Sequence, residues 1–241
     1  MGGAVFETVK PVELLQKLIY HVTDPDDIVL DFFAGSGTTG HAVMKQNSED
    51  GGNRQFILVQ IEEEVTSEDV VPYTLGYRNL AEVTHERLVR SGKAVKDQSG
   101  MYGQNLDIGF RMFRLDTSNM NDVQKIPEAI AQKDLFSAVD NVKTDRTPED
   151  LLIQVMLSLG ITLESKIQCQ KIAEKDVYRV DDGFLIACFD NDVTDDVVEA
   201  IAKEQPTFAV LRDASFKNDS VADNFEQIFK TYAPNTVCKV I

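Results

Sequence analysis

The chain has 241 residues, 43% of them hydrophobic, and a formal net charge of −16. That is apolar material for one large domain or two small ones, and the wrong sign for a free-standing grip on phosphate backbones. Three scattered cysteines, Cys169, Cys188 and Cys238, with no C-x-x-C, exclude a disulfide framework. The sequence offers neither a basic-then-apolar leader nor an apolar run near the roughly 20 residues of a membrane helix, so the expectation is a soluble, cytoplasmic protein.

Met1-Gly2-Gly3-Ala4 runs almost at once into motif-like sequence, as the later portion of a longer chain would. Pro11 then suits a first helical turn, and Leu14, Leu15, Leu18 and Ile19 recur on one face, which predicts a helix over 11–21. Thr23-Asp24-Pro25-Asp26-Asp27 reads as a turn. Ile28-Val29-Leu30 follows as an uninterrupted apolar run of the kind parallel strands buried on both faces require. A glycine-rich bend leads to a helix over 38–45, and the run at 56–61 gives a second buried strand. Strand, turn, helix, strand is one half of a doubly wound sheet, whose ligands sit at the carboxyl ends of the strands.

Leu80, Val83, Leu88 and Val89 among charges predict a surface helix over 75–91, and Leu106, Ile108 and Phe110 share one face of a strand over 106–116. The polar segment 117–127 places a domain boundary after residue 117. Beyond it lie helix candidates at 128–140, 148–159, 194–204 and 219–231, interleaved with strands at 177–180, 184–189, 207–212 and 236–241. Asp181-Asp182-Gly183 reads as a hairpin turn. The expected class is therefore α/β, with a second, smaller α/β unit.

Gly35, Gly37 and Gly40 form a G-x-G-x-x-G directly after the first strand. A P-loop is excluded, because His41 stands where that motif needs Lys. A dinucleotide site has the right element order, and Gln60, Glu62 and Glu63 lie where a ribose-binding acid belongs. Asp31 opposes that reading: a carboxylate ending the strand would face a pyrophosphate in a poorly screened crevice. A ligand with a cationic end near the turn and an adenosine ribose near the second strand reverses the sign, and S-adenosylmethionine is such a ligand. The glycines would let backbone approach it closely.

"DFFAGSGTTGHAV" resembles motif I of the amino-methylating DNA methyltransferases, and "ETVKPVELLQKLI" resembles their motif X, lying just upstream as in the permuted β-type order. More narrowly, "FILVQIEEE", "LGYRNLAEVTHERLVRSGK", "DIGFRMFRLDTSN" and "LRDASFKNDSVADNFEQIFK" are similar to the modification subunits of type III restriction-modification systems, a resemblance running from about residue 6 to the end. It implies a partial Rossmann-like methyltransferase domain over 1–117 and a C-terminal α/β domain over 118–241. It implies S-adenosylmethionine as cofactor, with Lys10 and Pro11 edging the pocket and Asp31, Phe32, Ala34, Gly35, Gly37 and Thr38 lining its methionine side. Gln60 stands where the family's ribose-binding Glu is expected, so Gln60 or the displaced Glu62 takes that role.

The family's reaction extrudes a base and methylates its exocyclic amine with the help of an Asp-Pro-Pro-Tyr type motif. This chain contains no Pro-Pro. In the permuted order that motif and the target-recognition domain precede motif X, so the expectation is a carboxyl-terminal portion, catalytically incomplete alone. DNA would be met through the missing part, with a restriction subunit and a second modification subunit as protein partners. Adenine-N6 rather than cytosine as target rests on the family alone.

The remaining features carry ordinary readings. His21, His41 and His85 lack metal-ligand spacing, and "DNDVTDD" at 190–196 reads as Thr194 capping a helix with Asp195 and Asp196 in its first turn rather than as a calcium loop. "LRDASFKND" at 211–219 reads as a strand-to-helix turn capped by Asn218 or Asp219, and Cys188 as core. Two rival functions remain: an assembly module built on residues 128–241 with an incomplete glycine site, and a nicotinamide-dependent oxidoreductase.

Overall fold

The structure, a computed structural model, describes residues 9–65, 74–121, 141–212 and 219–241. They divide between two units, Met1–Phe113 and Arg114–Ile241. The expected helix at 128–140 and most of the expected turn at 211–219 lie outside the described residues.

In the first unit, β1 (Ile28–Asp31) and β2 (Gln55–Leu58) pair in parallel, Ile28 opposite Gln55 through Asp31 opposite Leu58. A parallel pair needs a crossover, and α2 (Thr38–Asp50) supplies it. Helix α1 (Val12–Val22) packs on α2 through Val12, Leu15 and Ile19, which meet Ala42, Val43, Val29 and Phe56. The buried stripe therefore differs from the one the leucines suggested. Leu14 and Leu18 point to solvent, and Gln16 is buried in their stead, its amide donating to Gln46 of α2. The sheet is covered on one face only among the described residues: Val29 and Phe56 face the helices, whereas Ile28, Leu30 and Ile57 stay exposed.

Arg54 fastens the far end of this β-α-β unit. Its side chain is 3% exposed, donates from Nε to Thr23 Oγ1 and from Nη1 to both oxygens of Asp50, while its backbone exchanges hydrogen bonds with the Asn47 amide. Helix α3 (Leu80–Gln98) starts five residues later than the apolar pattern indicated. Asn79 caps it by accepting from the Glu82 amide, and the helix continues past 91 to Gln98. Residues 106–116 form no strand. The alternation is genuine, with Leu106, Ile108 and Phe110 half-buried between exposed neighbours, but no strand pairs with it among the described residues and it packs on α3 instead: Ile108 lies over Gly92 and the Phe110 ring meets His85 edge-on.

The second unit is a five-stranded sheet in the order β3 (Ile167–Ile172), β4 (Lys175–Val180), β5 (Leu185–Cys188), β6 (Phe208–Leu211) and β7 (Val237–Val240). The first three strands are antiparallel, and β5, β6 and β7 are parallel. Asp181-Asp182-Gly183 turns β4 into β5 with all three residues at positive φ. Helix α4 (Pro148–Ser158) covers one face through Leu151, Leu152, Val155 and Met156. Helices α5 (Asp195–Lys203) and α6 (Asp219–Tyr232) cover the other, with Val197, Val198, Ile201, Phe225 and Phe229 packed on Val177, Ile186 and Ala209. Thr194 holds the N-cap position of α5 without a side-chain cap bond, and both acids of that first turn, Asp195 and Asp196, suit the positive helix end.

Candidate functional site

The turn between β1 and α2 is built by its neighbours. Asp31 ends β1, half-buried, and its carboxylate accepts from the Phe33 amide at 3.0 Å and from Thr39 Oγ1 at 2.6 Å. The main chain then continues the ladder direction: Val59 donates to the Asp31 carbonyl and Ala34 donates to Val59. Gly35 N donates to Gln60 Oε1 at 2.8 Å, so a residue two positions past the end of β2 anchors the turn that follows β1. Gly37, the N-cap of α2, sits at φ 76° and ψ 28°, a left-handed conformation in which a side chain is strained, and a Cβ there would meet Thr84 Cγ2 at 3.0 Å. The third glycine has a different reason: a Cβ on Gly40 would come within 2.7 Å of Leu88 Cδ2, so its absence lets α2 and α3 approach.

The turn's outer surface is open. Phe32 is 63% exposed and Phe33 85%, while Ala34, Ser36, Gly37 and Thr38 are buried. Lys10 and Pro11 are exposed at the entry to α1, where Pro11 is the N-cap rather than the first helical residue. Val9 shares the lining of a groove of about 470 Å³ with Ser36, His41, Val83 and Arg87. Glu62 is exposed, and Asn79 Nδ2 donates to it at 3.4 Å. Gln60 is already engaged: besides accepting from Gly35, it donates to the Ile61 carbonyl.

Helix α3 backs the turn. Thr84 Oγ1 donates to the Gly35 carbonyl, and Arg87 Nη1 donates to Ser36 Oγ and Thr38 Oγ1. Neither residue carries a signal in the sequence, beyond being three positions apart on one helix face. Burial lowers the pKa of His41 from the ordinary imidazole value, and the charges of Arg87 and Lys45 add to that effect while Glu13 opposes it. No group of three or more His, Cys, Asp or Glu side chains among the described residues is arranged to hold a metal ion. No described helix is long and apolar enough to cross a membrane.

A family model described as DNA methylase matches residues 2–68, the stretch from before α1 to beyond β2. The chain is 45% identical over 116 residues to the type III restriction-modification enzyme StyLTI Mod subunit of Salmonella typhimurium, an alignment covering 48% of this chain and 17% of that protein. It is 46% identical over 88 residues to the EcoPI Mod subunit of Escherichia phage P1, covering 36% and 14%. It is 40% identical over 87 residues to the type II methyltransferase M.KpnI of Klebsiella pneumoniae, covering 36% and 21%. The chain thus spans about a fifth or less of these relatives' length.

Proposed function

With a DNA methylase segment at residues 2–68 and type III modification subunits among the chain's relatives, we propose that this chain holds S-adenosylmethionine for adenine-N6 methylation of DNA in a type III restriction-modification system. The observation that carries the reading is a carboxylate, Asp31, at the carboxyl end of β1 beside an open, glycine-bent turn. A negative group there suits a ligand with a sulfonium and an α-amino group and opposes a pyrophosphate. Bound there, the cofactor supplies an electrophilic methyl group.

The chain's own residues orient and screen it. Asp31 faces the cationic end, with Phe32 and Ala34 to Thr38 giving the turn its shape, and Lys10 and Pro11 border the pocket from the α1 side. Gln60 spends its amide oxygen on Gly35, which favours exposed Glu62 for the ribose hydroxyls. We place the base-binding half of the reaction in residues other than these, since the chain has no Pro-Pro. Alone it therefore methylates no DNA. DNA and the restriction subunit belong to the proposal through the relatives' names as type III restriction-modification Mod subunits.

The test is a calorimetric titration with S-adenosylmethionine, with NADH as control. Saturable heat from the first and none from the second supports the reading; the reverse pattern refutes it in favour of a nicotinamide enzyme. A second role is favoured by one observation: residues Arg114–Ile241 form a unit with its own core on both sheet faces. That unit is suited to assembly, by self-association or by docking the restriction subunit. A mass by light scattering that stays monomeric at every concentration, together with no retention of the restriction subunit, would count against it.

A further inference from the structure

One face of α3 holds the glycine turn from behind at three points. Thr84 binds the Gly35 carbonyl, and Arg87 binds the hydroxyls of Ser36 and Thr38, which are 6% and 5% exposed. Arg87 is only half-buried, yet burial already lowers its pKa, and among the described residues it makes no ion pair. A guanidinium taken partly out of water and met by two neutral hydroxyls is a costly way to fill space; a methionine would fill it more cheaply. What the guanidinium adds is direction. It has no acceptor, so both hydroxyl oxygens must receive and their hydrogens must turn away from it. Ser36 Oγ and Thr38 Oγ1 stand 3.4 Å apart, close enough for one to donate to the other. The rotamers on either side of Gly37 are fixed together, and with them the left-handed bend between.

We infer that Arg87 is a positioning residue for the glycine turn: through Ser36 and Thr38 it fixes the turn in the shape that receives the cofactor, with Thr84 holding the adjoining carbonyl. This rests on the cofactor reading for its purpose but not for its geometry. The turn carries its own reporters, because the amides of Ala34, Gly35 and Gly37 are hydrogen-bonded to Val59, Gln60 and Ala34.

The experiment compares the unaltered chain with Arg87→Met, Arg87→Lys and Arg90→Met by residue-resolved amide hydrogen exchange and by titration with S-adenosylmethionine. Arg90 is the control, an exposed residue of the same helix paired with Glu86. In Arg87→Met, the amides of Ala34, Gly35 and Gly37 exchange about 10-fold faster while those of Val43 and Met44 are unchanged, and affinity falls by about the same factor. Arg87→Lys, which keeps the charge and one hydrogen bond, restores part of both, and Arg90→Met alters neither. Unchanged turn exchange in Arg87→Met overturns the inference, as does a uniform acceleration across α2. Should Arg87→Met fail to fold, Thr84→Val reports instead, with faster exchange at Gly35 supporting the clamp and unchanged exchange refuting it. An unaltered chain that binds no cofactor while Arg87→Met loosens the turn removes the cofactor reading and leaves the positioning role in place.

Discussion

Replacing Arg54 by Met unfastens the far end of the β-α-β unit, and its contacts set the size of the effect. The side chain is 3% exposed and makes one hydrogen bond to Thr23 and a two-oxygen contact with Asp50 at 3.1 and 2.9 Å. Hydrogen bonds to charged groups contribute about 1.5–3 kcal/mol each, and breaking a buried pair costs about 3–5 kcal/mol. Asp50 is 27% exposed and rehydrates once abandoned, and Met recovers some apolar contact, so the net loss is about 2–4 kcal/mol. With a urea slope of about 1–2 kcal/mol/M, the midpoint of the first unit's transition falls by about 2 M, read by far-ultraviolet circular dichroism.

The loss also depends on pH. Burial works against the charged form of Asp50, but hydrogen bonds from Gln46, the Gly52 amide and Arg54, with Arg54's charge, outweigh it and hold the carboxyl below its ordinary value. Its contribution is therefore complete above the unfolded carboxylate range and disappears as pH falls through the lowered folded value. The gap between the two proteins is constant near neutrality and narrows in acid. A midpoint shift below about 0.5 M at pH 7, or a gap that widens on acidification, would show that the Arg54–Asp50 contact does not hold this end of the unit.

Two further predictions concern the turn and the second unit. Gly37→Ala puts a methyl group at a left-handed residue and against Thr84, so it destabilises the first unit by about 1–2 kcal/mol in the same urea experiment and weakens cofactor binding; an unchanged midpoint contradicts the geometry. In the second unit, burial pushes the Cys188 thiol up to about 11, and burial with the nearby Glu226 charge pushes Cys238 up to about 11, whereas Cys169 is exposed. A disulfide reagent at pH 8 should modify Cys169 first and Cys188 only on unfolding, as peptide mapping would show; early labelling of Cys188 contradicts its placement in the core.

The local order of the first unit was legible because each signal there is short-range. An apolar triplet, a glycine bend and a second apolar run specify β1, α2 and β2 without knowledge of anything distant. The errors arise where a partner decides. Leu14, Leu15, Leu18 and Ile19 suggested one stripe; Leu15 and Ile19 do pack on α2, but Val12 and Gln16 complete the contact while Leu14 and Leu18 are exposed. The alternation at 106–110 is that of a strand, yet among the described residues no strand pairs with it, and it packs on a helix. Strand β3 was missed because the turn into β4 uses Ala173 and Glu174 at φ 46° and 67°, where neither glycine nor asparagine advertises a tight hairpin. At the site, the glycines and Asp31 announce themselves by type, whereas Thr84 and Arg87 reach the turn from about 50 positions away and carry no local mark.

Whether Asp31 meets a positive charge at the turn is decided by the affinity of the unaltered chain and of Asp31→Asn for two ligands. Asn keeps the shape and a hydrogen-bonding partner for the Phe33 amide and Thr39, so the turn is spared while the charge is removed. S-adenosylmethionine carries the sulfonium charge, and S-adenosylhomocysteine lacks it. Asp31→Asn is expected to weaken binding of the first ligand about 10-fold more than of the second. Equal losses for both ligands, or no loss for either, would contradict it.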